Sequence, residues 1–231
     1  MPTTKFTVFT PTYNRGHTLD RVFWSLCDQT FTDFEWLVVD DGSTDQTWER
    51  IICYSEAAKF PVRYYWQNNG GKHRAHNRAV HLALGELFVV ADSDDWITDY
   101  ALERMDRLWL AVRDRADCCG VCGLCAGVDG RTIGSRYTDA MTYSTLNERK
   151  FKYGMTGEHW GCMRTDLVKA YPFPDIDGFV PEGLVWLAIG KKYKDLCVNE
   201  VYRIYDLPDG LCGGADLGSH DLAQQSLSDG L

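Results

Sequence analysis

The sequence predicts an α/β protein with a mostly parallel central sheet flanked by helices. Three observations carry this expectation. Short β-rich runs alternate with segments of helical periodicity through the first half of the chain. The clearest of these runs are continuously apolar, as strands covered on both faces are. Aspartates cluster immediately after two of them.

Lys5 to Thr10 reads as the first strand, and after a Pro11-Thr12-Tyr13-Asn14 turn, Leu19, Val22, Phe23 and Leu26 share one helical face. Glu35 to Val39 is a second strand. Ser43 to Gln46 has S-x-x-Q capping-box spacing, and Trp48, Ile51 and Ile52 continue it as a helix. Val62 to Trp66 is a third strand. Ala75, Ala79, Leu82 and Ala83 mark a helix that Gly85 is expected to end. Leu87 to Ala91 is a fourth strand, followed by a helical stripe of Leu102, Met105, Leu108, Trp109 and Val112. Asp129-Gly130 then reads as a hairpin turn between Cys118–Ala126 and Arg131–Gly134. Gly183 to Lys192 is expected to be helical and Cys197 to Tyr205 to be strand, whereas 209–231 has the composition of a loose tail.

The chain has 231 residues, 45% hydrophobic and 25% charged, which excludes wholesale disorder. A net charge of −9 argues against nucleic acid as a partner. No run reaches the roughly 20 apolar residues that cross a bilayer. Nine cysteines, an odd number without a paired framework, read as reduced thiols, so a cytoplasmic setting is expected. Peripheral contact with the inner face of a membrane and self-association into a homo-oligomer are left open.

Asp40-Asp41 and Asp92-Ser93-Asp94-Asp95 each follow an apolar strand. Ligands of open α/β sheets bind beyond the carboxyl ends of the strands, so both clusters can face one pocket. Magnesium and manganese take carboxylate oxygens and keep positions for substrate phosphates. D-x-D spacing puts Asp92 and Asp94 on the same side of an extended segment, one for the ligand and one for the ion. The competing reading is a turn that caps the next helix. Gly70-Gly71-Lys72 lacks the spacing of a P-loop, but its glycines permit close approach to an anion, and Lys72, His76 and Arg78 add local positive charge. Arg78 reads equally well as a residue of a solvated helix face. Cys119, Cys122 and Cys125 have C-x2-C-x2-C spacing, although the small apolar segment around them favours a buried strand over a metal site.

The collinear runs TVFTPTYNRGHTL, WLVVDDGSTDQT, NNGGKHRAHNRAVHLALGE and VVADSDDW resemble glycosyltransferase family 2. The resemblance implies a GT-A fold in a single domain over 1–231. Residues 1–115 would bind a nucleotide sugar, 116–208 the acceptor, and 209–231 would form a flexible tail. It implies a metal-dependent, inverting hexosyltransferase using Mn2+ or Mg2+. The donor would be a UDP-linked sugar, and the acceptor a glycan or lipid-linked glycan of cell-surface polysaccharide synthesis.

Carried across, the resemblance has Pro11, Thr12 and Tyr13 line the base pocket, with Asp40 accepting the imide N–H of uracil. Arg15, Asp41 and Ser93 join the donor-binding set, Asp92 approaches the ribose, and Asp94 ligates the metal. Asp95 supports that ligand or orients the sugar. His76 stands where relatives often carry arginine, which puts its phosphate role in doubt. The general base is a late carboxylate: Glu182, followed by Gly183 where aspartate is common, or its rival Glu158. Glu182 could instead merely open a helix. His159, Trp160 and Trp186 are the acceptor candidates, with burial in the core as the competing fate of the tryptophans. The alternatives on this reading are a non-catalytic sugar-binding protein and a nucleotidyltransferase. The chain lacks the Gly-rich basic loop of a nucleotidyltransferase and the G-x-G-x-x-G of a dehydrogenase.

Overall fold

A computed structural model describes residues 4–205. The expected tail at 209–231 lies outside them. The first half alternates strands β1 (Thr4–Thr12), β2 (Phe34–Asp40), β3 (Val62–Trp66) and β4 (Gly85–Val90) with helices α1 (Leu19–Cys27), α2 (Thr47–Ala57) and α3 (Lys72–Leu82). The second half comprises β5 (Trp96–Ile97), α4 (Ala101–Val112), β6 (Cys118–Gly127), β7 (Met141–Ser144) and a π-helical turn, Glu148–Lys152. It continues with β8 (His159–Arg164), α5 (Thr165–Ala170), α6 (Gly183–Ile189) and β9 (Lys194–Tyr205).

All strands join one sheet in the order β3-β2-β1-β4-β8-β6-β9-β5, with β7 also on β9. The block β3-β2-β1-β4 is wholly parallel. Beyond it β8 enters antiparallel to β4 and β6, and the sheet is mixed from there on.

Strand alternation explains how both faces are covered. Phe6, Val8, Trp36 and Val38 point to the face where α1 lays Leu19, Val22, Phe23 and Leu26. Phe9, Leu37 and Val39 point the other way, onto Ala75, Ala79 and Val80 of α3. Both faces are thus apolar, as the continuous runs require. The same period divides the cysteines of β6. Cys119, Cys122 and Cys125 enter three different apolar clusters, so their spacing does not converge on a metal.

Three local expectations are corrected. The Ser43–Gln46 capping box does not form. Ser43 Oγ instead accepts the N–H of Asn14 (2.8 Å), and Asp45 Oδ1 accepts the N–H of Thr47 at the start of α2 (3.1 Å). Gly85 does not end α3 but opens β4, where a Cβ would lie 2.3 Å from the Thr7 backbone nitrogen. The turn at Asp129-Gly130 is present, with Gly130 at φ 78°, but its second arm contributes only the single bridge Ala126↔Thr132.

Close approach also governs Gly161 in β8, where a Cβ would sit 1.9 Å from the Val121 carbonyl oxygen of β6. Gly161→Ala is expected to prise these strands apart and cost about 3 kcal/mol, a fall in Tm of roughly 6–12 °C for a chain of this size. A thermal melt matching wild type would contradict the β6–β8 packing.

Candidate functional site

The parallel register places the sequence-predicted acids at one edge. Thr12 pairs with Asp40, and Asp40 with Trp66, at the carboxyl ends of β1, β2 and β3. Ala91 donates to Phe9 O (2.8 Å), so the chain leaving β4 delivers Asp92 to the same edge. The loop after β1 is fixed to the loop after β2. Asn14, at φ 52°, accepts the Thr44 N–H through Oδ1 (2.8 Å), and the Gly16 N–H donates to Asp45 Oδ2 (3.0 Å).

Asp40 is buried, accepting the Ser43 N–H (2.8 Å) on Oδ1 and the Tyr64 hydroxyl (2.6 Å) on Oδ2. Burial, and then the bond to Asp40, push the Tyr64 phenol well above its ordinary pKa. Asp40 opens on a cleft of about 430 Å³ lined also by Ser43, Asp45, Trp48, Tyr64 and Trp66. The rings of Trp48 and Tyr64 lie 4.9 Å apart. Periodicity alone does not reveal these aromatic walls, because Trp66 meets Asp40 only through the register of β2 and β3. Tyr13 is 47% exposed, Pro11 is half-buried and Thr12 is buried.

Asp41, next to Asp40, faces away from this cleft. Its carboxylate accepts from Gln67 Nε2 (2.7 Å) and from the Gly70 and Gly71 N–H groups (3.0 and 2.7 Å), and so pins the loop that precedes α3. Arg78 does not join the acids. It donates to Trp66 O (2.9 Å) and lies over the Tyr65 ring.

A second group forms around Asp92. Lys72, the first residue of α3, places Nζ 2.7 Å from Asp92 Oδ1 and 2.6 Å from Glu182 Oε1. Burial acts to raise the Asp92 pKa, but Lys72, Arg203 and Arg15 overcome it and hold the carboxyl below its usual range. Ser93 is buried within this turn. Asp95 is buried behind it, accepting the Asp92 N–H (2.8 Å), with Arg203 Nη1 at 3.2 Å. Burial pushes Asp95 up to about 8 against the charge of Arg203. Arg203 also reaches Glu158 Oε2 (2.8 Å), which accepts the Tyr205 hydroxyl as well. Burial raises the Glu158 pKa, opposed by Arg203. Asp95, Arg203 and Glu158 thus form a mutually bonded layer beneath Asp92.

The three acceptor-side candidates are spent on packing. Trp160 is buried, with Nε1 donating to Val90 O (2.6 Å), which withdraws it from any exposed sugar face. His159 Nε2 donates to Ser135 O (2.9 Å), and burial lowers its pKa. Trp186 joins Phe9, Phe88 and Phe173 in a ring cage around His76, with centroids 4.9 to 5.8 Å from the imidazole.

His76 therefore does not supply the expected positive charge. Burial, and then repulsion from Lys72, lower its pKa to about 3. With a folded pKa near 3 and an ordinary value near 6.5, only the unfolded chain binds this proton between those pH values. Stability from this group is present above about pH 6.5 and is lost as the pH falls towards 3. By pH 4 the loss is about 3 kcal/mol. His76→Leu is expected to flatten that acid limb in a Tm-against-pH series. An unchanged slope would refute the neutral cage.

Asp94 is the freest of these carboxylates. Its side chain is 47% exposed and its nearest cation is Arg15 Nη1 at 3.9 Å. Among the described residues no group of three or more His, Cys, Asp or Glu could hold a metal by itself. Asp94 still fits a hard divalent cation, because such ions often take one or two carboxylates and complete their shell with substrate phosphates.

This sheet, with its acids gathered beyond the parallel strands, is the GT-A fold. Residues 7–166 match the profile of glycosyl transferase family 2, and the chain belongs to that family. Staphylococcus aureus (strain Mu50) TarS, a poly(ribitol-phosphate) β-N-acetylglucosaminyltransferase, is 39% identical over 101 residues, covering 43% of this chain and 18% of TarS. YibD of Escherichia coli K12, described as an uncharacterized glycosyltransferase, is 29% identical over 195 residues, covering 80% of this chain and 55% of YibD. The chain therefore spans between about a fifth and about half of the length of these relatives. The crystal structure of S. aureus TarS 1–349 in complex with UDP-GlcNAc superposes with a TM-score of 0.66 at 26% identity, covering 95% of this chain and 64% of that one. The Pyrobaculum calidifontis mannosyltransferase PcManGT, solved with GDP-Man and Mn2+, shares the fold at 18% identity and a TM-score of 0.64, covering 100% of this chain and 66% of that one.

Proposed function

We propose that this chain transfers a sugar, with inversion, from a UDP-linked donor to a glycan or lipid-linked glycan acceptor of cell-surface polysaccharide synthesis, in the cytoplasm. The observation that carries this reading is the meeting of Asp40, Asp92, Asp94 and Lys72 from the parallel half with Glu182 from the second half, around one edge of the sheet. The base rests against Tyr13, Asp40 and the aromatic cleft, Asp92 meets the ribose, and Lys72 meets the diphosphate. Asp94, with Arg15 beside it, would hold Mn2+ or Mg2+, which supplies positive charge to the departing diphosphate.

Glu182 accepts the proton of the acceptor hydroxyl as that oxygen bonds to the anomeric carbon. The bond from that carbon to the phosphate oxygen breaks with its electron pair on the nucleoside diphosphate. Glu182 is preferred to Glu158 because Glu158 already accepts from Arg203 and Tyr205, which fix it as a prop. Calorimetric titration with a panel of nucleotide sugars, with and without manganese, tests the donor half. Tight binding of a UDP-sugar that strengthens with manganese is expected, and no binding by any member would overturn the reading. A product with retained anomeric configuration would overturn the single displacement.

No helix among the described residues is long and apolar enough to cross a membrane.

A further inference from the structure

Helix α3 belongs to the donor half, yet one flank of it carries the segment that delivers Glu182. Asn77 both donates to Phe173 O and accepts the Phe173 N–H, each at 2.9 Å. His73 Nε2 donates to Ile176 O (3.0 Å), and Arg74 spans Asp175 (2.6 Å) and Asp177 (3.0 Å). The rings of His76 and Trp186 meet at 5.6 Å. Lys72 stands at the open end of this series and differs from the others, because its ammonium serves two carboxylates at once.

Asp92 and Glu182 come from opposite halves, and Lys72 is the only ion-pair partner of Glu182 among the described residues. A carboxylate oxygen that accepts from an ammonium at 2.6 Å is occupied on that side and is not presented to an acceptor hydroxyl. The diphosphate of a nucleotide sugar brings stronger acceptors to the same ammonium.

We propose that Lys72 is a donor-operated latch: without nucleotide it ties Glu182 to Asp92, and the diphosphate draws Lys72 away and frees Glu182 to act as base. The inference rests on the donor reading above and adds to it an order of events. Donor must be seated before the acceptor hydroxyl meets a free base. His73, Arg74 and Asn77 keep the segment on α3 while the latch opens, so Glu182 gains freedom without leaving the site.

The test is hydrogen exchange of the full chain, followed at the peptide carrying Leu184 and Val185, whose amides donate to Pro181 O and Glu182 O. Measurements run with and without UDP, GDP and other nucleoside diphosphates, with binding followed by calorimetry. In wild type, a nucleotide that binds is expected to raise exchange there about tenfold, the scale of one lost charge-assisted contact. Lys72→Met and Glu182→Gln should show the raised rate without nucleotide and no further response, and Lys72→Arg should keep the response. Glu182→Gln carries the test if Lys72→Met fails to fold. Nucleotide that binds wild type yet leaves exchange unchanged, or lowers it, overturns the latch alone. Failure of every nucleotide to bind overturns the donor reading and the latch with it.

Discussion

Glu182→Gln is expected to bind donor at least as tightly as wild type and to lose about 10²- to 10⁴-fold in turnover, the usual worth of a positioned general base. The amide keeps the shape but gives up the ion pair with Lys72, and it cannot take a proton at neutral pH. The substitution lies at the N-terminal end of α6, where the side chain is 42% exposed, so the fold should tolerate it. Donor affinity by calorimetry and turnover by product formation separate the two effects. Full activity in Glu182→Gln would transfer the role to Glu158, and Glu158→Gln would then show the loss. If Glu158 is a prop, Glu158→Gln should instead act through Arg203 and Asp95, lowering stability more than it alters the chemical step.

The second large effect is at Asp94. Asp94→Ala is expected to abolish the manganese-dependent part of donor binding, a loss of roughly 100-fold or more, since a bound cation supplies several kcal/mol of charge stabilisation to a diphosphate. Because the side chain is half exposed and lightly held, Tm should stay close to wild type. Manganese titrated against donor affinity reads this directly. An Asp94→Ala variant that still responds to manganese would remove Asp94 from the ligand set.

Much of the donor side could be read before any coordinates. The succession of strands and helices along the chain, the helix stripes and the acids after β2 and β4 all depend on short-range periodicity, which a sequence displays openly. The limits appear at adjacent residues of one type. The sequence motifs place both Asp40 and Asp41 in the donor-binding set, but one turns towards the cleft and the other back towards Gly70 and Gly71. By residue type, Trp160 and Trp186 can be either sugar platforms or core aromatics. Packing claims both, one through a buried bond to Val90 O and the other through the His76 cage. His76 itself reads as a cation by residue type and is neutral by burial.

The α/β class, the family and the acidic edge are legible in the chain alone, because these rest on local spacing and on motifs a few residues long. Which charges meet emerges only once the chain is folded. Lys72 lies between Asp92 and Glu182, and Arg203 between Asp95 and Glu158, because β4, β8, β6 and β9 stand side by side and α3 carries the 173–186 segment. Those partners are far apart in the chain. Whether such charges meet depends on the register of strands and the direction of side chains, which local sequence patterns do not specify.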